Sequence, residues 1–200
     1  MRWDNLFDDL ESQLEQELGA EEVDLRAEEE RLRLGRISLR ERISALTRGL
    51  PPGSYGGISV QLVTGLIVNV RPGTFGKDWF AADLIEESRR DSQCVLPLGA
   101  IAAVLLTPAQ ARQSLEPETR QTSAPQLVDR IGIAFVLRDL CRRRAGVEVH
   151  TRAGILHGTI DRVGRDHLDL AVHESGVARR ASAVAQLRVI PLEQLCLVRL

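Results

Sequence analysis

From Ile58 onward the apolar residues of this chain fall at every second position, in short runs broken by glycine and proline. No other feature constrains the fold as much. Ile58, Val60 and Leu62 share one face of a strand, with Ser59, Gln61 and Val63 on the other. Residues 66–70, 79–86, 94–98 and 101–106 read as four more strands. They are separated by Gly65, by Pro72-Gly73, by the charged turn 87–91 and by a tight corner at 97–99. Five short strands so evenly spaced predict a closed barrel, because an open sheet of five would leave its edges unpaired.

The same pattern comes twice, each time after a helix. Ser38-Leu39-Arg40-Glu41 is a capping box opening a helix that ends near Arg48-Gly49, before Pro51 and Pro52. Ser123-Ala124-Pro125-Gln126 is a second capping box, opening a helix with Leu127, Ile131, Ala134, Leu137 and Cys141 on one face and Arg142-Arg143-Arg144-Ala145-Gly146 at its end. Val147-Glu148-Val149 then answers Ile58-Ser59-Val60, Gly154 answers Gly65, Gly164-Arg165-Asp166 answers Gly76-Lys77-Asp78, and Ile190-Pro191-Leu192 answers Leu96-Pro97-Leu98. The spacing stays near 89 residues and lengthens where residues 175–188 extend the fourth turn. Thr107-Pro108 opens a short helix, and 114–124 is polar enough for a linker.

An internal duplication is the economical reading. The expected organisation is α+β, with two tandem small five-stranded antiparallel barrels, each preceded by a helix. Residues 1–36 form an acidic amphipathic helical arm, 37–107 a helix plus the first barrel, 108–124 a short helix and linker, and 125–200 a helix plus the second barrel.

In the arm, Trp3, Phe7, Leu10, Leu14 and Leu18 recur at the steps of one helix face. Trp3, Phe7, Leu10 and Leu14 are therefore candidate protein-interaction residues, docking onto the same chain or onto a second one. Residues 1–30 hold 12 acidic residues against two arginines, so within an overall charge of −2 the rest of the chain is mildly basic. Of 26 basic residues only Lys77 is lysine, a bias that points to a high-GC coding source and weakens any argument from arginine count.

The stretch from Val147 to Ile160, with turn glycine Gly154 and a second glycine, Gly158, four residues on, resembles the first motif of Sm and Lsm proteins. In that family a glycine lets a bent strand pass close to its neighbour. Val163 to Leu170 and Val189 to Leu200 are similar to the same Sm-like or SH3-like small-barrel superfamily, and the layout from Met1-Arg2-Trp3-Asp4 is similar to uncharacterised proteins of high-GC actinobacteria. The resemblance covers about 50 residues in each copy. It implies edge-to-edge strand assembly and, for some members, RNA binding. RNA-binding members carry an asparagine after strand two and an Arg-Gly pair before the last strand, and neither copy has them. In their place stand Lys77, Asp78 and Trp79, and Arg165, Asp166 and His167.

Lys77, Trp79, Arg165 and His167, with the basic cluster Arg142, Arg143 and Arg144, are the candidate nucleic-acid contacts, since an aromatic or imidazole ring beside a cation can stack a base and meet phosphate. The aspartates in the same turns work against it, and a basic helix end also serves to cap its own dipole. All four histidines lie in the second copy. A hairpin turning at Arg152-Ala153 pairs 148 with 157 and 150 with 155, which puts Glu148, His150 and His157 on one face as a metal candidate or as a plain wet face.

No phosphate-binding glycine loop, zincin motif, dinucleotide fingerprint or nucleophile with its base occurs, which argues against an enzyme. No cofactor is expected and no small-molecule substrate is evident. Cys94, Cys141 and Cys196 are odd in number and sit among apolar neighbours, as reduced core thiols do. With no apolar run of bilayer length and no leader-like start, the expected setting is cytoplasmic, away from membranes. The function expected is a non-enzymatic interaction or scaffold module working through a protein partner or self-association. The alternatives are an RNA-binding regulator of the Sm type and, behind it, a metal-binding protein.

Overall fold

The computed structural model describes residues 22–47, 57–85, 92–117, 127–176 and 179–200. Residues 22–36 form helix α1, which belongs to a unit of its own. Arg26–Glu22 and Arg31–Glu28, both at 2.5 Å, and Arg33–Glu30 at 2.6 Å are pairs three or four residues apart, the spacing that brings side chains together on a helix. Trp3, Phe7, Leu10 and Leu14 lie outside the described residues.

The second unit, Leu39–Leu200, opens with α2 (Leu39–Thr47). There follow β1 (Ile58–Leu62), β2 (Ile67–Phe75), β3 (Trp79–Leu84), β4 (Ser92–Pro97), a 3-10 turn, β5 (Ile101–Leu105) and α3 (Pro108–Gln113). The second half comprises α4 (Ile133–Arg143), β6 (Gly146–Thr151), β7 (Gly154–Val163), β8 (His167–Val172), β9 (Gln186–Pro191), a 3-10 turn and β10 (Leu195–Arg199). Every pairing is antiparallel, and the strands form one sheet in the order β5-β1-β2-β3-β4-β10-β6-β7-β8-β9.

Two separate closed barrels are therefore not what forms. The order within residues 58–105 is reproduced within 146–199, but β4 pairs with β10 of the other half, and one open ten-stranded sheet results. The physical reason lies in two strands that are apolar on both faces. Cys94, Val95 and Leu96 of β4 are all buried, and so are Leu195 to Val198 of β10. Such strands read as central ones, and they satisfy both their apolar faces and their backbone groups by joining each other.

The cores interpenetrate as well. The first, built around Ile43, Val60, Phe80 and Leu96, takes in Cys196 and Leu197 from β10. The second, built around Leu137, Val149, Ile160 and Leu168, takes in Trp79 and Val95 from β3 and β4. Burial pushes the Cys94 thiol up to about 12, with the nearby Asp83 charge adding to the effect, so it is a core thiol rather than a nucleophile.

Three local expectations also need correction. Pro72-Gly73 does not end β2, because the strand bulges between Pro72 and Phe75 and so tolerates the missing N–H. The helix leading the second half starts at Ile133, after a 3-10 turn over Leu127–Arg130; residues 123–126 of the expected capping box lie outside the described ones. Ser114 does not begin a free linker: it is buried and its Oγ accepts from Arg42 Nη2 at 2.9 Å. Gly158, in contrast, makes the close approach its sequence context suggests, since a Cβ there would lie 2.2 Å from the Ala171 carbonyl oxygen.

Candidate functional site: the joint, the free edges and the polar face

The joint between halves is short but well packed. Val198 stands opposite Val95 and Arg199 opposite Cys94, and the Leu200 N–H donates to the Gln93 carbonyl at 2.9 Å. Val95 is 3% exposed and Val198 0%.

Beside the joint, the Gly76-Lys77-Asp78-Trp79 turn receives the start of α4. The Lys77 N–H and the Trp79 Nε1–H both donate to the Ile131 carbonyl, each at 2.9 Å. Gly132, the residue before α4, offers no side-chain cap, and Asp78 takes that role from the other half, its Oδ1 accepting from the Ile133 N–H at 2.8 Å. Arg40 completes the contact, pairing with Asp129 and donating from Nε to the Gly76 carbonyl at 2.9 Å. A Cβ on Gly76 would fall 2.1 Å from the Trp79 indole nitrogen, so glycine is needed where the ring passes.

Trp79, a base-stacking candidate by its sequence context, lies inside the fold. Its ring is 5% exposed, belongs to the second core and has its N–H engaged; only Lys77 of that pair is exposed. In the second half His167 is exposed, with Nδ1 2.8 Å from Asp166 Oδ1, and Arg165 is exposed beside it. The hydrogen bond from His167 holds the Asp166 carboxyl below its usual range. The arginine cluster is largely spoken for. Arg142 and Arg143 both meet Asp139 at 2.6 Å, while Arg144 at 3.0 Å and Arg179 at 2.6 Å meet Asp161. Four guanidinium groups thus share two carboxylates, which reduces the field available to a phosphate backbone.

On the histidine face the register is the expected one, Glu148 opposite His157 and His150 opposite Ile155. His150 Nε2 lies 2.6 Å from Glu148 Oε1 and His157 Nδ1 lies 3.6 Å from Oε2, so each carboxylate oxygen faces one ring. These side chains pair with one another, and among the described residues no group of three or more His, Cys, Asp or Glu is placed to hold a metal ion. Glu148, His157, His173, Ser175 and Arg199 line an open cleft of about 440 Å³. Within it His173 is buried and already satisfied, by Thr159 at Nε2 and the Glu174 carbonyl at Nδ1, both 2.9 Å away.

Burial pushes the Glu148 carboxyl up, but the hydrogen bond with His150 and the charges of His150, His157 and Arg199 outweigh it and hold the carboxyl below its ordinary 4.5. A folded-state value below the unfolded one contributes stability that is present above pH 4.5 and lost as pH falls through the depressed value. Glu148→Gln is accordingly expected to flatten the acid limb of a melting-temperature-against-pH curve below about pH 5. An acid limb as steep in the variant as in the parent would mean the cluster contributes nothing there.

The strands at the two ends of the sheet, β5 and β9, are edges with one neighbour each. Each carries exposed aliphatic side chains, Leu105 at 43%, Leu187 at 65% and Val189 at 69%, although Ile190 of β9 is buried. The sequence alternation marks β5 as a strand, whereas the first three residues of β9 fall inside the expected fourth turn of 175–188, and nothing distinguishes an edge from a joint except the apolar runs of 94–96 and 195–198. The Asp78 cap and the Arg40–Asp129 pair left no such signal, because their partners are far apart in the chain.

No helix among the described residues is long and apolar enough to cross a membrane. No family model, curated protein or solved structure matches the chain, so neither the small-barrel resemblance nor the actinobacterial one gains outside support.

Proposed function

We propose that this chain is a non-enzymatic assembly module that docks protein partners strand to strand along the two free edges of its sheet. The observation that carries the reading is the contrast in burial between equivalent strands. Val95 and Val198 meet at the joint and are hidden, whereas Leu187 and Val189 on β9 and Leu105 on β5 are exposed, on strand edges that pair with no further strand among the described residues. Isolated edges are usually blunted by charge, proline or cover, so an edge carrying exposed aliphatic residues fits docking by strand addition. A cytoplasmic setting belongs to the same reading, supported by three free cysteines.

The test is affinity purification of the full chain from its native cell, with and without nuclease, beside the edge variant Val189→Lys/Leu105→Lys. Both positions are exposed, so the fold should tolerate the change, and circular dichroism checks this. We expect protein partners, an untagged copy of the chain included, to be retained by the parent after nuclease and to drop about tenfold or more with the variant. A partner set unchanged by the edge variant overturns the reading. Recovery dominated by nuclease-sensitive RNA, equal in parent and variant, overturns it in favour of RNA binding.

A further inference from the structure

A groove of about 130 Å³ runs between α2 and β5, lined by Leu39, Arg42, Ile43, Leu46, Val104 and Leu106. Four of these residues have counterparts 94 positions further along: Leu39 corresponds to Ile133, Ile43 to Leu137, Leu46 to Leu140 and Val104 to Val198. All four counterparts are buried, in one core with Trp79 and Val95. On α4 and β10, then, this surface is covered by β3 and β4 of the first half. On α2 and β5 the same surface is open only at Leu39, 42% exposed, and at the half-buried Val104, because Ile43 and Leu46 are buried in their own core.

What would cover it can be read from the same correspondence. The Pro-Leu corners at Pro97 and Pro191 match β4 to β9, which makes Val189 the counterpart of Val95; the turns at Gly76 and Gly164 match His167 to Trp79 and Asp169 to Ala81. Asp169 and Val189 are opposite each other in register, as Ala81 and Val95 are. The charges fit too. At the joint, Ala81 and Val136 both lie at the margin of the second core, and their counterparts on the open surfaces are Asp169 and Arg42, of opposite sign.

We infer that the α2–β5 groove receives the outward face of β8 and β9 from a second copy of this chain. β9 pairs antiparallel with β5 so that Val189 stands opposite Val104 and Arg188 opposite Leu105. This rests on the edge-docking reading above and names its partner. Within one copy β5 and β9 do not meet, since they are the two unjoined ends of the sheet order. The contact is heterologous, each copy offering one groove and one β9, so it propagates or closes into a cycle of two or more copies.

Directly opposed residues of an antiparallel pair hold their Cβ atoms roughly 4.5–5.5 Å apart, and a disulfide, which needs about 3.5–4.5 Å, forms there after a small local adjustment under mild oxidation. The test mixes full-length Val189→Cys with full-length Val104→Cys, with the parent setting the background from the native cysteines. We expect a covalent species of twice 22.1 kDa from the mixture and none above background from either variant alone. Sedimentation of Asp169→Arg should show association weakened by about tenfold, and Asp169→Arg/Arg42→Glu should recover it. A parent that stays monomeric at high micromolar concentration, with a partner still lost on edge substitution, overturns this inference and leaves the edge-docking reading standing. Crosslinking of Val189→Cys to itself overturns the head-to-tail arrangement.

Discussion

Trp79→Ala is expected to cost about 3–5 kcal/mol in urea unfolding, the range for deleting a large buried aromatic. The ring is 5% exposed, fills the second core from a strand of the first half and donates to the Ile131 carbonyl at 2.9 Å. That carbonyl keeps the Lys77 N–H as a partner, so the loss is chiefly one of packing and cavity formation, not of an orphaned acceptor. Trp79→Phe, which restores most of the apolar volume without the N–H, should recover all but about 1–2 kcal/mol. The shape of the transition is as informative as its midpoint. Because each core contains residues of the other half, the variant should unfold in one shifted transition, read alike by circular dichroism and by calorimetry. Two transitions, with only one displaced, would mean that residues 58–105 and 146–199 fold independently.

The second large effect is a contrast between equivalent positions. Val198→Asp puts a carboxylate at a site 0% exposed, opposite Val95 and within the apolar core. An unpaired buried charge of this kind falls among the exceptional substitutions, on the order of 4–5 kcal/mol or more, enough to unfold an ordinary domain at room temperature. Val189→Asp makes the same chemical change on β9, at a residue 69% exposed, and should move monomer stability by no more than about 0.5 kcal/mol. Its effect should fall instead on association. Equal losses of melting temperature in the two variants would mean that β9 is covered within one chain, and the free-edge description would have to be given up.

Much of the second-half hairpin was legible in advance. The alternation of Val147, Val149 and Leu156 against Glu148, His150 and His157, closed by Gly154, leaves one register that keeps the apolar set together, and β6 and β7 adopt it. Gly154 takes φ of 136°, a left-handed value that favours glycine. The close approach at Gly158 and the short helix opened by Thr107-Pro108 were equally local, the latter capped by Thr107 and Gln110 across one turn. The candidate site was legible only in part. Its β5 strand could be named and its β9 strand only in part, and Trp79 and Asp78, beside Gly76, seat α4 through contacts that no local pattern signals.

The sequence by itself determined which segments are strands, which of their faces are apolar, and that the pattern of residues 58–105 returns later in the chain, because period and glycine placement act over a few residues at a time. Only the tertiary structure decided how the two patterns meet. Closing each set of five strands on itself and joining β4 to β10 satisfy much the same local rules, and the choice between them turns on the packing of Trp79, Val95 and Val198 against α4, a helix dozens of residues away from each of them in the chain. That packing energy belongs to pairs remote in sequence, so its only local mark is the pair of apolar runs in β4 and β10. It hides one pair of strand edges within the chain and leaves the other pair, β5 and β9, exposed.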